Sequence, residues 1–283
     1  MEIKKVGVVG CGTMGSGITQ VCAQSGYPVV VSEINDELLN KGLASIDKFM
    51  SVSVEKGRLS QEDKDATIAR IKGTTDTKNF SDCDLVIEAA IENMDLKKKI
   101  FADLDKICPK HAILATNTSC LSIIDMAIAT GRPDKVLGLH FMNPVPLMKL
   151  LEIVKTIATS EETLETGKTF GESLGKTIVI AQDTPGFIVN RLLMPYLVNA
   201  TKMLESGIAT REDIDAGINL GLNHPMGPLT LMDLIGIDTV FFILEAMYEE
   251  FKDPQYAPPT LMRKMVTAGW LGRKTGKGFY DYK

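Results

Sequence analysis

The sequence lacks the features that mark several classes of protein. Its 31 lysines and arginines are outnumbered by 36 aspartates and glutamates, for a net charge of −5, which argues against nucleic acid as a main partner. It contains no uninterrupted apolar segment long enough to span a membrane, no internal repeat and no low-complexity segment. The first apolar run begins at Lys4, so we expect neither a signal peptide nor a membrane partner.

Cysteine does not occur in the patterns that imply disulfides or metals. The five cysteines are odd in number and none has C-x-x-C spacing, so we expect reduced thiols, no metal site and a cytoplasmic location. We interpret Cys11, which lies within a glycine-rich turn, as a small spacer residue rather than a nucleophile. The length of 283 residues predicts two domains with ample core.

The rest of the chain is organised around residues 4–33. A short β-branched run, Lys4–Val9, leads into Gly10-Cys11-Gly12-Thr13-Met14-Gly15, where a helix is predicted to begin. A second β-branched run, Tyr27–Ser32, ends at Glu33. This strand–turn–helix–strand order with a G-x-G-x-x-G turn is typical of the unit that binds the pyrophosphate of a dinucleotide.

The residues of this unit have distinct expected roles. Gly10 permits the tight turn, Gly12 lets the backbone approach the phosphates, and Gly15 brings helix and strand together. The first turn of the helix offers free N–H groups to the phosphates. Glu33 is placed to accept hydrogen bonds from the adenosine ribose and would repel a 2′-phosphate, so we predict NAD rather than NADP. A glycine-rich turn of an ordinary α/β protein is the alternative, but it does not explain this acid.

Polar residues follow three successive predicted strands, at the point where each strand ends. They are Glu92, then Asn117 and Ser119, then His140 and Asn143. A single polar residue at a strand end is often only a cap or a turn residue. Because ligands of open α/β sheets bind outside the carboxyl ends of the strands, three such ends in a row predict a site.

A histidine and a glutamate in this region form a candidate catalytic pair. His140 ends one strand, and Glu152 lies in the middle of the next apolar run, where a charge is costly without a partner. The Pro-containing loop between the runs is long enough to bring the strands side by side, which would place Glu152 against the imidazole. We favour a His–Glu dyad for proton transfer over a structural core histidine and an outward-facing glutamate.

The second predicted helix, residues 35–56, carries Lys41, Lys48 and Lys56 among several acids. A solvated face of mixed charge is the favoured interpretation. The alternative is a clamp for an anionic substrate tail.

The pattern changes after the turn Asp183–Gly186, which predicts a boundary between residues 1–184 and 185–283. The second part has helical periodicity with almost no strand signal, and Asn190 lies in its first predicted helix. The stretch Leu229–Phe251 is more apolar than one small domain can bury, so we predict a homodimer through these C-terminal helices. The glycine-rich basic loop around Lys274 could reach back to the cofactor.

Several stretches together resemble the short-chain L-3-hydroxyacyl-CoA dehydrogenase family, and within it the bacterial 3-hydroxybutyryl-CoA dehydrogenases. The matching stretches are GCGTMGSG (10–17), DLVIEAAIE (84–92), NTS (117–119), GLHFMNPVPLMKLLEIV (138–154), DTPGFIVNR (183–191), NHPMGPL (223–229) and GWLGRKTGKGFYDY (269–282). The resemblance covers essentially the whole chain. It implies an α/β fold, a Rossmann-like doubly wound sheet that binds NAD, followed by a smaller all-helical dimerisation domain.

The resemblance also implies roles for individual residues. The match to His140 is the general base and the match to Glu152 orients it, while the matches to Ser119 and Asn190 hold the hydroxyl and thioester region of an acyl-CoA substrate. The implied NAD contacts are Glu33, Glu92, Lys97, Asn143 and Lys274. The family often carries lysines for the CoA phosphates at the end of the second helix, whereas Ser51–Glu55 here leaves only Lys56.

The expected reaction is the NAD-dependent interconversion of (S)-3-hydroxybutyryl-CoA and acetoacetyl-CoA. One alternative is a β-hydroxyacid dehydrogenase of the hydroxyisobutyrate or 6-phosphogluconate type, although no matching lysine motif occurs in the helical part. Another is a non-catalytic NAD-binding protein like the lens crystallins of this family. The intact set of His140, Glu152, Ser119 and Asn190 argues against the second alternative.

Overall fold

The computed structural model describes residues 1–282, which divide into two compact units. The first extends from Met1 to Thr184 and the second begins at Pro185. Among the described residues, no helix is both long and apolar enough to cross a membrane.

The first unit is built on one sheet of eight strands. The strands are β1 (Val6–Val9), β2 (Val29–Ser32), β3 (Ile71–Thr74), β4 (Leu85–Glu88), β5 (Ile113–Thr116), β6 (Val136–Phe141), β7 (Leu150–Lys155) and β8 (Thr177–Gln182). Their order is β3-β2-β1-β4-β5-β6-β7-β8. The chain therefore reverses its direction of winding between β1 and β4, as the doubly wound prediction requires, and β3 lies at one edge of the sheet.

All neighbouring strands are parallel except one pair. β6 and β7 run antiparallel, and their register places His140 directly opposite Glu152. β8 then continues parallel to β7. Because the chain turns back after β6, the side chains of His140 and Glu152 are neighbours in the sheet.

Helices cover the sheet of the first unit. They are α1 (Thr13–Gln24), α2 (Asp36–Glu55), α3 (Gln61–Ala69), α4 (Met94–Ile107), α5 (Ile123–Ala127) and α6 (Glu161–Ser173). Side chains of Asn35, Ser60 and Asn93 cap three of them by accepting a hydrogen bond from a backbone N–H three residues on. Every residue of β1, β2, β4 and β5 is buried, which accounts for their continuous β-branched and apolar runs.

The regular structure described in the second unit is helical. Its helices are α7 (Val189–Glu205), α8 (Arg211–Gly221), α9 (Pro228–Ile235), α10 (Ile237–Phe251) and α11 (Thr260–Thr267). Gly236, with φ of 105°, separates α9 from α10 inside the long apolar stretch. The buried Asp233 accepts hydrogen bonds from the backbone N–H groups of Phe279 and Tyr280, at 2.9 Å each. This aspartate fastens the C-terminal glycine-rich segment to α9.

Candidate active site

The backbone is closely packed at Gly10 and Gly15 in the glycine-rich turn between β1 and α1. Gly10 has φ of 91°, and a Cβ there would lie 2.8 Å from the carbonyl oxygen of Ala89. A Cβ at Gly15 would lie 1.9 Å from the carbonyl oxygen of Gly10. At Gly12, in contrast, a Cβ would meet no atom within 4 Å. The backbone is therefore open where the sequence predicts that phosphates approach, and the residues present fit a dinucleotide such as NAD.

Glu33 follows β2 and is held against this turn. Its Oε1 accepts a hydrogen bond from the backbone N–H of Cys11 at 2.7 Å, and its Oε2 accepts one from the backbone N–H of Ile34 at 3.0 Å. These bonds fix a carboxylate beside the phosphate turn. A fixed negative charge at this point suits ribose hydroxyls and disfavours a 2′-phosphate.

A cavity of about 390 Å³ extends from the turn between α1, α2 and the loop after β6. Gly12, Thr13, Glu33 and Asn143 line it, so it unites four of the predicted cofactor residues. It also includes Lys41, which the sequence placed in a site only under the alternative of an anion clamp, and residues of α2 that the sequence did not place in a site, which are Leu38, Gly42, Ser45, Ile46 and Phe49.

Other predicted residues of the first unit lie elsewhere. Met14 packs, partly buried, against the hydrophobic core. Lys56 is exposed immediately after the end of α2. Lys41 is likewise exposed but lines the cavity, so the helix that was interpreted as a solvated face also contributes to a concave site.

His140 lies between two hydrogen-bonding partners. Its Nδ1 is 2.6 Å from Oε2 of Glu152, and its Nε2 is 3.1 Å from Oγ of Ser119. The exposed fraction of Glu152 is 0% and that of His140 is 4%. An ionised carboxylate only accepts hydrogen bonds, so this arrangement suits the tautomer in which Nδ1 donates to Glu152 and Nε2 faces Ser119.

Backbone contacts fix the ends of β5 and β6 next to this histidine. Oδ1 of Asn117 accepts the N–H of Phe141 at 2.9 Å, so this strand-end residue ties two strands together. The N–H of Ser119 donates to Oε1 of Glu92 at 2.9 Å, and the hydroxyl of Thr118 donates to the same carboxylate. Glu92 and Ser119, predicted separately, are therefore in direct contact.

Lys97 is buried rather than free at the surface, with an exposed fraction of 1%. Its Nζ lies 2.6 Å and 2.8 Å from the two carboxylate oxygens of Glu88 and 3.5 Å from Oε2 of Glu92. Sequence reasoning missed Glu88. The available signal was the one that identified Glu152, a charged residue inside an otherwise apolar strand.

Two predicted residues belong to the second unit. Asn190 is half-buried in the first turn of α7, and the neighbouring Arg191 stacks its guanidinium 3.8 Å from the centre of the Phe251 ring. Nζ of Lys274 lies 2.6 Å from Oδ1 of Asp238. The roles of Asn190 and Lys274 toward substrate and cofactor stay predictions.

Comparisons with known proteins agree with this arrangement. Residues 5–184 match the family model of the 3-hydroxyacyl-CoA dehydrogenase NAD binding domain, and residues 186–282 match that of the 3-hydroxyacyl-CoA dehydrogenase C-terminal domain.

Relatives resemble the chain over its whole length. It is 46% identical to the 3-hydroxybutyryl-CoA dehydrogenase of Mycobacterium tuberculosis, over 99% of each chain. It is 45% identical to that of Bradyrhizobium diazoefficiens, over 99% of this chain and 96% of the relative. The crystal structure of (S)-3-hydroxybutyryl-CoA dehydrogenase PaaH1 from Ralstonia eutropha is 45% identical and superimposes with a TM-score of 0.95, covering all of both chains.

Proposed function

The chain belongs to the 3-hydroxyacyl-CoA dehydrogenase family of NAD-dependent oxidoreductases, and we propose that it interconverts (S)-3-hydroxybutyryl-CoA and acetoacetyl-CoA. The substrate is inferred from relatives at 45% and 46% identity whose names specify 3-hydroxybutyryl-CoA. The observation that supports the chemistry best is the hydrogen-bonded series of Ser119, His140 and Glu152.

His140 acts as the general base in the oxidation. With Nδ1 donating to Glu152, Nε2 is the ring nitrogen that takes the proton of the 3-hydroxyl group. Glu152 keeps the ring in this tautomer and stabilises the imidazolium that forms. In the reverse reaction the imidazolium returns the proton to the oxygen. When bound, NAD supplies the hydride acceptor in the oxidation and the hydride donor in the reduction.

Other residues bind and orient the reactants. Ser119, at hydrogen-bonding distance from Nε2 of His140, and Asn190 hold the reacting oxygen and the thioester carbonyl. Gly10, Gly12, Thr13, Met14 and Gly15 form the phosphate turn. Glu33 binds the adenosine ribose, and Glu92, Lys97, Asn143 and Lys274 are the further proposed contacts of NAD. Lys56 contacts the CoA nucleotide.

We also propose a homodimer formed by the second unit. Leu220, Leu222 and Leu234 of that unit have exposed fractions of 86%, 60% and 50%. Together with the apolar stretch Leu229–Phe251, these exposed side chains are the basis of the proposal, because contiguous apolar surface marks protein–protein contacts. Light scattering at several protein concentrations tests this, since a monomer throughout would contradict it.

The first test is the oxidation of NADH and of NADPH by the purified protein with acetoacetyl-CoA. NADH consumption well ahead of NADPH consumption is expected. Preference for NADPH would retain the reaction and contradict the role of Glu33. Activity only with free 3-hydroxy or 3-oxo acids would favour a β-hydroxyacid dehydrogenase, and no turnover with tight NADH binding would favour a non-catalytic protein.

The second test removes the proposed base. His140→Ala is expected to reduce kcat by about 10²–10⁴-fold, with the dissociation constant of NADH unchanged. Near-normal turnover by a folded His140→Ala protein would overturn the assignment of the base.

A further inference from the structure

Glu88, the last residue of β4, has every carboxylate acceptor site in use inside the protein. Oε1 accepts from Nζ of Lys97 at 2.6 Å and from the backbone N–H of Ala90 at 2.7 Å. Oε2 accepts from the same Nζ at 2.8 Å and from the Thr116 hydroxyl at 2.7 Å. The exposed fraction of Glu88 is 0%. Glu88 therefore has no free side to offer to a ligand.

Lys97 lies between Glu88 and a second carboxylate, that of Glu92. Its Nζ lies 3.5 Å from Oε2 of Glu92, so one buried ammonium stands between two carboxylates. Glu92 differs from Glu88 because 29% of its side chain is exposed, while its oxygens also receive the hydroxyl of Thr118 and the N–H of Ser119. The series Glu88–Lys97–Glu92–Ser119 thus ends at the residue that contacts His140.

The charges explain why Glu88 matters to Glu92. A buried ammonium needs a full counter-charge, because the desolvation of an unpaired ion costs several kcal/mol. As long as Glu88 supplies that charge, Lys97 stays at hydrogen-bonding distance from Glu88 and only at 3.5 Å from Glu92. Without the charge of Glu88, Lys97 would be drawn fully onto Glu92, and the partly exposed carboxylate would lose its geometry.

We propose that Glu88 is a positioning residue of the NAD site, which anchors Lys97 and thereby holds Glu92 in the orientation that binds the cofactor. The inference rests on the proposed function in one respect, namely that Glu92 contacts NAD. Glu88 itself touches neither substrate nor cofactor.

The test measures cofactor and substrate constants separately. Glu88→Gln keeps the shape and removes the charge, and it is expected to raise the KM and the dissociation constant of NADH about tenfold, the size of a coupling between charges in contact. The KM of acetoacetyl-CoA is expected to rise by a smaller factor, because Glu92 reaches the substrate site only through the backbone N–H of Ser119. Since Glu88 and Lys97 act as one unit, the double variant Glu88→Gln/Lys97→Met should bind NADH no more weakly than the weaker of the two single variants.

A second ion pair that involves α4, with a buried arginine and a partly exposed aspartate, provides the control. Asp105, near the end of α4, is 2.6 Å from Nε of Arg132, whose side chain is 5% exposed. Asp105→Asn breaks this pair and should lower Tm while leaving both KM values unchanged. If Glu88→Gln behaves like Asp105→Asn, or raises both KM values equally, Glu88 is only structural and the proposal is wrong.

Two further measurements test the role of Glu88 if Glu88→Gln does not fold or the wild-type protein shows no turnover. If Glu88→Gln does not fold, the double variant and Thr116→Val, which removes one donor to Glu88 without changing a charge, take its place. Thr116→Val should raise the KM of NADH by a smaller factor. If the KM of NADH changes in neither the double variant nor Thr116→Val, the proposal is wrong. NADH binding measured by fluorescence needs no turnover, so a wild-type protein inactive on acetoacetyl-CoA would refute the proposed substrate and still test Glu88.

Discussion

Oε2 of Glu152 lies 2.6 Å from Nδ1 of His140, because the two residues are directly opposite each other in the antiparallel pair β6–β7. Most of the sheet is parallel, and in a parallel pair residues from successive strand ends would be neighbours instead. The reversal of the chain after β6 therefore creates the contact. The contact is buried, with 0% of Glu152 and 4% of His140 exposed.

The first prediction concerns this contact. Glu152→Gln should reduce kcat by about 10²–10⁴-fold, because an amide neither stabilises the imidazolium nor imposes the Nδ1–H tautomer. The dissociation constant of NADH should stay unchanged, as a check that the first unit is folded. A Glu152→Gln protein with wild-type kcat would show that the carboxylate is only structural.

The second prediction concerns the choice between cofactors. The Glu33 carboxylate is fixed by the N–H groups of Cys11 and Ile34, so it cannot easily turn away from a 2′-phosphate. Glu33→Gln preserves the acceptor oxygen and removes the charge, and it should improve kcat/KM for NADPH about tenfold while lowering it for NADH. The ratio of the two values is the measurement. An unchanged ratio would assign cofactor choice to another residue.

The third prediction concerns the cavity beside α2. Among the described residues that line it, Lys41 is the only cation. Lys41→Met should raise the KM of acetoacetyl-CoA about tenfold, the value of a charge-assisted hydrogen bond to phosphate. The KM of acetoacetyl-pantetheine, which has no phosphate, should be unaffected.

Lys48 provides the control for this experiment, because it is exposed on the same helix. Lys48→Met should leave both constants unchanged. A rise in the KM of NADH with Lys41→Met, in place of the rise for acetoacetyl-CoA, would show that Lys41 serves the dinucleotide instead.

Much of the fold could be predicted because buried parallel strands leave a strong signal. The apolar β-branched runs at β1 and β2 and the glycines between β1 and α1 report local structure. The pairing of His140 with Glu152 was accessible because a charge inside an apolar strand demands a partner.

The sequence did not predict which of several adjacent side chains on one helix points into the protein. Lys97, Lys98 and Lys99 are adjacent, and sequence alone does not show which one turns inward. Lys98 pairs with Asp125 and Lys99 with Asp103 near the surface, whereas Lys97 is buried against Glu88. The packing of α4 on the sheet sets that helical phase, and packing depends on residues distant in the chain.

The last prediction concerns the thiol inside the phosphate turn. Burial, and to a smaller extent the charge of Glu33, raise the pKa of Cys11 from 9.0 to about 12, so the thiol stays protonated at pH 8. Because the thiolate is the nucleophile, native protein at pH 8 should react with iodoacetamide far more slowly than urea-unfolded protein.

In Glu33→Gln the pKa of Cys11 should fall, because one of the two causes of its raised pKa is removed. Mass spectrometry should then detect faster labelling at Cys11. Labelling at Cys22 should not change, because its raised pKa comes from burial. Rapid labelling of Cys11 in the native wild-type protein would mean that the turn exposes a reactive thiol, and the interpretation of Cys11 as a spacer residue would be wrong.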